Sequence, residues 1–158
     1  MMARAAEARR RGDRWVPLEE AEGEQDPSKA PYSAFWVAVS DATGPDSLVG
    51  TAGIAPFGVL SDGLGGLAEM ADWVQRGDVA ELLHVRVAPE CRRQGIGGAL
   101  CETAVDWARG QNYRTVVLNT SSPQAPARAL YRSLGFREVG RSYLHRYELV
   151  WHELELRP

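Results

Sequence analysis

The segment with the strongest chemical character reads Arg92-Arg93-Gln94-Gly95-Ile96-Gly97-Gly98, between an apolar run that ends at Pro89 and a stretch with helical patterning. The start of a helix leaves backbone N–H groups without intrahelical acceptors and carries a partial positive charge. Glycines there let the backbone approach an anion closely, since no Cβ intervenes. Arg92 and Arg93 bring formal positive charge to the same place. Strand, basic turn, glycines and helix together make a cradle for a pyrophosphate. Two familiar phosphate motifs do not fit. Gly98 is followed by Ala99 and Leu100 rather than by the Lys-Ser/Thr of a P-loop, and Leu100 occupies the position where a G-x-G-x-x-G fingerprint needs a third small residue.

Groups able to move protons or attack carbon lie on either side of this segment. Glu81 stands in the otherwise apolar run VAELLHVRVA (79–88), where loss of water raises a carboxyl pKa and suits the group to act as a base. His84 is the alternative base, three residues on and on the opposite face of a regular strand. Cys91 adjoins two arginines, a setting that lowers a thiol pKa, but no His–acid arrangement accompanies it. It reads as a surface loop cysteine, and Cys101 as a packed helix residue. His145 and His152 lack metal-ligand spacing and read as structural, so no metal site is expected. Trp107 reads as core, while Trp36 and Trp73 suit either core packing or the wall of an acceptor pocket.

The elements that must hold these groups follow from patterning. Residues 34–40 (AFWVAVS) and 48–57 (LVGTAGIAPF) read as strands joined by a Gly-Pro turn, a hairpin. A glycine-rich loop covers 58–66, and a short helix is expected over 67–76, ending at Gly77. The strand at 79–88 stops at Pro89. From Gly95 the residues Ile96, Ala99, Leu100, Thr103, Ala104, Trp107 and Ala108 recur at helical spacing, with Gly110 as the stop. Residues 114–119 form a buried strand, a second helix follows Pro123 and ends at Gly135, and strands over 136–142 and 143–156 close the chain. The order implies a mixed α/β sheet with helices packed on it.

The first thirty residues differ in character. Residues 1–11 have helix-forming composition, and 17–31 are polar, acidic and broken by prolines. The expected organisation is therefore an N-terminal helix and acidic loop arm over 1–31, part of one domain, and a core over 32–158. No strand signal precedes Ala34; 15–18 is short and contains Pro17.

The chain has 158 residues and a net charge of −3, which suits one domain and gives no general attraction to nucleic acid or an anionic membrane. No apolar stretch is long enough to span a bilayer, and no apolar run follows the first arginines as in a secretory signal. Two cysteines without paired spacing fit a reducing cytoplasm.

At the glycine turn the sequence resembles the GNAT acetyltransferase superfamily. Its Gln/Arg-x-x-Gly-x-Gly/Ala signature is matched by Arg92, Gly95 and Gly97, within the longer run ELLHVRVAPECRRQGIGGAL (81–100). A second match, ARALYRSLGF (127–136), resembles the family's Ala-x-x-Leu-Tyr-x-x-x-Gly-Phe helix. Together they extend the resemblance over about residues 35–156. One departure is Gln124, where the family often has Asn.

The resemblance implies a mixed, mostly antiparallel sheet with a central V-shaped splay, flanked by helices. It implies an N-acetyltransferase that moves an acetyl group from acetyl-CoA directly to a primary amine of a small molecule or peptide. Backbone groups of Val85 and Val87 would bind the pantetheine arm, and the amides of Arg93, Gln94, Gly95, Ile96, Gly97 and Gly98 the pyrophosphate, beside Arg92. Tyr131 falls at the family's general-acid position, and phenol and thiol pKa values lie within roughly two units, so proton transfer to a leaving thiolate is feasible. The acidic run 19–26 could draw a cationic acceptor. A non-catalytic acyl-CoA-binding sensor is the alternative: it would keep the glycine turn and need neither Glu81 nor Tyr131. A homodimer is compatible with an incomplete sheet edge, which tends to be covered.

Overall fold

The computed structural model describes residues 4–11, 14–17, 32–40, 47–58 and 68–157; the acidic run 19–26, the turn at 41–46 and the glycine-rich stretch 59–67 lie outside the described residues. In chain order the elements are β1 (Arg4–Arg11), β2 (Arg14–Pro17), β3 (Ala34–Ser40), β4 (Ser47–Pro56), α1 (Ala68–Arg76), β5 (Val79–Val87), α2 (Ile96–Gly110), β6 (Thr115–Ser121), α3 (Ala125–Ser133), β7 (Arg137–Leu144) and β8 (Tyr147–Glu155). The pairings β1–β2, β1–β3, β3–β4, β6–β8 and β7–β8 are antiparallel, and β5–β6 is parallel. This is the mixed, mostly antiparallel α/β structure expected from the sequence. Two compact units are interleaved along the chain, one of Met1–Ile54 and Leu83–Ala104, the other of Ala55–Leu82 and Val105–Pro158.

In the first unit the strands run in the order β2–β1–β3–β4. The helix expected over residues 1–11 is corrected here: Arg4–Arg11 is a strand, in register with β3 from Arg4–Val39 to Glu7–Trp36 and with β2 from Ala8–Pro17 to Arg11–Arg14. Helix propensity is a weak preference, and ladder hydrogen bonds to a strand on each side outweigh it. A strand does precede Ala34, formed by an Ala/Arg-rich segment with no β-branched residue to announce it. Phe35 and Val37 form a small core with Tyr32 and Val39 against them. Gly53 makes room for this packing, since a Cβ there would lie 2.8 Å from the Phe35 ring.

In the second unit the order is β5–β6–β8–β7. The parallel register joins Val79, Ala80 and Glu81 to Thr115, Val116 and Val117. Trp73, Val79, Val117 and Trp151 make the core, with Phe57, Met70 and Val139 packed on it. The Trp73 and Trp151 rings are 5.7 Å apart, and Phe57 meets Trp73 edge-on at 5.1 Å. Trp73 donates its indole N–H to Glu153 at 3.1 Å, and Arg137 holds the other Glu153 oxygen at 2.8 Å, so the buried carboxylate is paired.

The helices begin and end close to where glycines and prolines place them. α3 stops at Gly135, whose φ of +92° reverses the chain so that Phe136 N–H reaches the Tyr131 carbonyl. For α2 the left-handed stop is Asn112 (φ +64°) rather than Gly110, which is its last helical residue. Its buried stripe is Ile96, Leu100, Cys101, Ala104, Val105 and Ala108, while Ala99 is exposed. The helix is turned from the expected face toward Cys101 and Val105.

Candidate active site

The glycine turn is built inside the first unit. After β5 a single 3-10 turn, Pro89–Cys91, points the chain toward α2. Arg92 returns to extended backbone (φ −68°, ψ 161°), Arg93 is left-handed at φ +60°, and Gly95 at φ +79°. The first helical bond runs from Ala99 N–H to the Gly95 carbonyl at 3.0 Å, so the amides just after Gly95 are those that helix geometry leaves without an intrahelical acceptor. A Cβ on Gly95 would meet no atom within 4 Å, so glycine is required there by its φ and not by crowding. Left-handed geometry at Arg93 costs about 1–3 kcal/mol, and such strain collects at ligand clamps. Alternating left-handed residues also turn successive N–H groups toward one side, the arrangement of an anion nest. Arg92, Arg93, Gln94 and Gly95 are exposed, the Ile96 side chain is buried, and Gly97 and Gly98 are half-buried.

The part of β5 that leads into this turn is anchored at several points. Ala88 N–H donates to the Val49 carbonyl at 2.8 Å, and the Thr51 hydroxyl to the His84 carbonyl at 2.8 Å. Gly50 lies so close to β5 that a Cβ on it would sit 3.0 Å from the Arg86 carbonyl oxygen. His84 itself is left-handed at φ +52°, with its ring edge-on to Tyr32 at 5.7 Å. A left-handed residue interrupts the two-residue alternation of a strand, so the opposite-face argument that separated Glu81 from His84 does not hold across this point. Val85 and Val87 follow directly, both half-buried.

The second unit carries the two candidate proton-transfer groups. Glu81 is only 1 % exposed, in register with Val117 and flanked by buried Ala80 and Leu82. It is not a carboxylate at a wet edge. Tyr131 on α3 is 7 % exposed, with its ring 6.0 Å from that of Phe136 and 5.9 Å from that of His152. The structure therefore groups Val85, Val87 and the 92–98 turn in one unit, and Glu81 with Tyr131 in the other.

Comparison with known families gives one decisive match: the acetyltransferase (GNAT) family model aligns with residues 3–136. The chain belongs to this family. Human N-acetyltransferase 8B is 38 % identical over 122 residues, which is 77 % of this chain and 44 % of the human protein. The chain thus spans less than half the length of that relative. Among solved structures, the IAA acetyltransferase of Bacillus cereus superposes with a TM-score of 0.65 at 16 % identity, covering 98 % of this chain and 100 % of the other. A putative acetyltransferase from Salmonella typhimurium, solved with acetyl-CoA, gives 0.58 at 19 % identity, covering 79 % and 65 %. Identities this low speak for the shared fold.

Within this GNAT chain Cys91 departs from expectation, while Cys101 is packed in its helix as expected. Cys91 is buried at 2 % exposure rather than lying on the surface, because the 3-10 turn tucks its side chain inward. Burial, with a smaller contribution from Glu102, pushes the Cys101 thiol up to about 12. Gln124, where the family often has Asn, precedes α3 and accepts a hydrogen bond from the Thr120 hydroxyl at 2.9 Å. Sequence reasoning missed the Thr51–His84 and Tyr32–His84 contacts and the seat of His152 against Tyr131. All three join residues far apart in the chain and leave no local signal.

Proposed function

We propose that the chain is an N-acetyltransferase that moves an acetyl group from acetyl-CoA directly to a primary amine of a small molecule or peptide. The observation that carries this reading is the turn in which left-handed Arg93 and Gly95 deliver the chain into the start of α2 beside two exposed arginines. That geometry suits a diphosphate, and at Gly95 crowding does not demand it. The acetyl-CoA held by the Salmonella structure supports the choice of coenzyme.

Acetyl-CoA supplies the acetyl group as an activated thioester. The amides from Arg93 to Gly98 hold its phosphates, Arg92 and Arg93 add charge, and backbone groups of Val85 and Val87 align the pantetheine arm. Glu81 takes the proton from the acceptor amine, with His84 as the alternative base, and the Tyr131 hydroxyl gives a proton to the departing sulfur. Burial of both cysteines favours direct transfer over an acyl-cysteine.

Thiol release from acetyl-CoA against a panel of amines, beside thermal shift with acetyl-CoA alone, tests the reading. Turnover with at least one amine is expected. Stabilisation without turnover would replace the enzyme by a coenzyme sensor, and neither signal would remove both.

A further inference from the structure

His152 occupies an unusual place for a polar side chain. It lies on β8, in register with Leu118 of β6 on one side and Glu138 of β7 on the other. It is 1 % exposed, and its Nδ1 has no hydrogen-bond partner among the described residues. A buried polar atom left in this way costs free energy that a leucine of similar volume would avoid. Its ring is 5.9 Å from that of Tyr131, inclined at 57°, and Phe136 meets the same phenol at 6.0 Å and 65°. The phenol is therefore held by an apolar ring and by an imidazole.

We propose that His152 is a positioning residue for Tyr131: its uncharged ring fixes the phenol in the orientation that delivers the proton, and protonation of the imidazole undoes that fit. The proposal rests on the reading of Tyr131 as the general acid. Charged groups reach His152 from two elements. Glu138 of β7 favours the cation, whereas Arg128 and Arg132 of α3 oppose it; Leu118 of β6 adds no charge. Burial dominates, so the imidazole stays neutral to lower pH than an exposed histidine, with the Val150 backbone and Glu138 opposing in part. A proton added to the ring would bring a charge into a place that is 1 % exposed, between Arg128 and Arg132 on one side and Glu138 on the other. The ring would then leave its seat and release the phenol.

The test is the pH dependence of kcat at saturating substrates in the wild type, His152→Phe, His152→Ala and Tyr131→Phe. At pH 8 His152→Phe, which keeps a ring against Tyr131, should retain about tenfold more kcat than His152→Ala, with KM for acetyl-CoA within about twofold in both. The acid limb of His152→Phe should move to lower pH by about half a unit or more, because the titrating group is gone. An acid limb that superimposes on the wild type, while Tyr131→Phe has lost turnover, overturns the proposal and leaves the acid in place. Full turnover in Tyr131→Phe overturns the acid assignment itself, and the proposal with it. Should His152→Phe fail to fold, NMR on the wild type decides. Tyr131 ring signals that move with the midpoint of the His152 imidazole support the coupling, and ring signals that ignore that midpoint refute it.

Discussion

In the role proposed for it, Tyr131 would give up a proton from a phenol whose ring is packed against Phe136 and His152. Removing its hydroxyl keeps the contacts with Phe136 and His152 and deletes the chemistry. Tyr131→Phe should lower kcat by about a hundredfold or more while the Kd for acetyl-CoA, read by calorimetry, stays within about twofold. Arg93 poses the opposite trade. Its left-handed backbone is strained, so Arg93→Gly should gain up to about 1 kcal/mol in urea denaturation and still bind acetyl-CoA more weakly. Loss of both stability and affinity would mean that the strain is not there. The turn before α2 was legible in the sequence because its glycines and the preceding proline mark it locally. The left-handed turns at Arg93 and His84 were not, since non-glycine residues adopt that geometry rarely and neither position carries a glycine to mark it. Nor was the meeting of Tyr131 with His152, which depends on how α3 lies against β8.

Strands and helices with strong local grammar were found close to their true limits. β3, β4, β5 and β6 are rich in β-branched and aromatic residues, and α3 runs from a proline to a glycine. β1 failed that test because its alanines and arginines suit a helix when considered alone, and only pairing on both sides makes them a strand. The turn between β7 and β8 was placed two residues too early. It is made by His145 in the left-handed region (φ +54°), without a glycine to mark it. The left-handed residue of β5, His84, is tied through its carbonyl to the Thr51 hydroxyl. Thr51→Val keeps the shape and removes the donor. It should cost about 1 kcal/mol in stability and weaken acetyl-CoA binding, because Val85 and Val87, the proposed pantetheine contacts, follow His84 directly. Unchanged affinity despite lost stability would separate the His84 turn from coenzyme binding.

For the molecule as a whole, His152 couples folding to pH. Its pKa is depressed in the folded chain relative to the ordinary 6.5 that it regains on unfolding. As pH falls below about 6.5 the unfolded chain binds the proton first, so stability drops until the lowered folded value is passed. The loss is about 1.4 kcal/mol for each pH unit between the two values. His152→Phe should flatten that part of the stability curve in urea melts between pH 7 and 5, whereas a curve as steep as the wild type would place the pH sensitivity elsewhere. Net charge and composition indicated a globular chain of ordinary character, but they carried nothing about its division into two interleaved units. That division depends on contacts between segments far apart in sequence.

A titration of the nitrogen-15-labelled chain with coenzyme A, followed amide by amide, examines the phosphate cradle without requiring an acceptor. Large, saturable shifts should appear at Gly95, Ile96, Gly97 and Gly98 and fade when 3′-dephospho and pyrophosphate-free analogues replace the coenzyme in turn. Saturable binding whose shifts spare those four amides, or no binding at all, would show that the glycine turn does not hold the coenzyme.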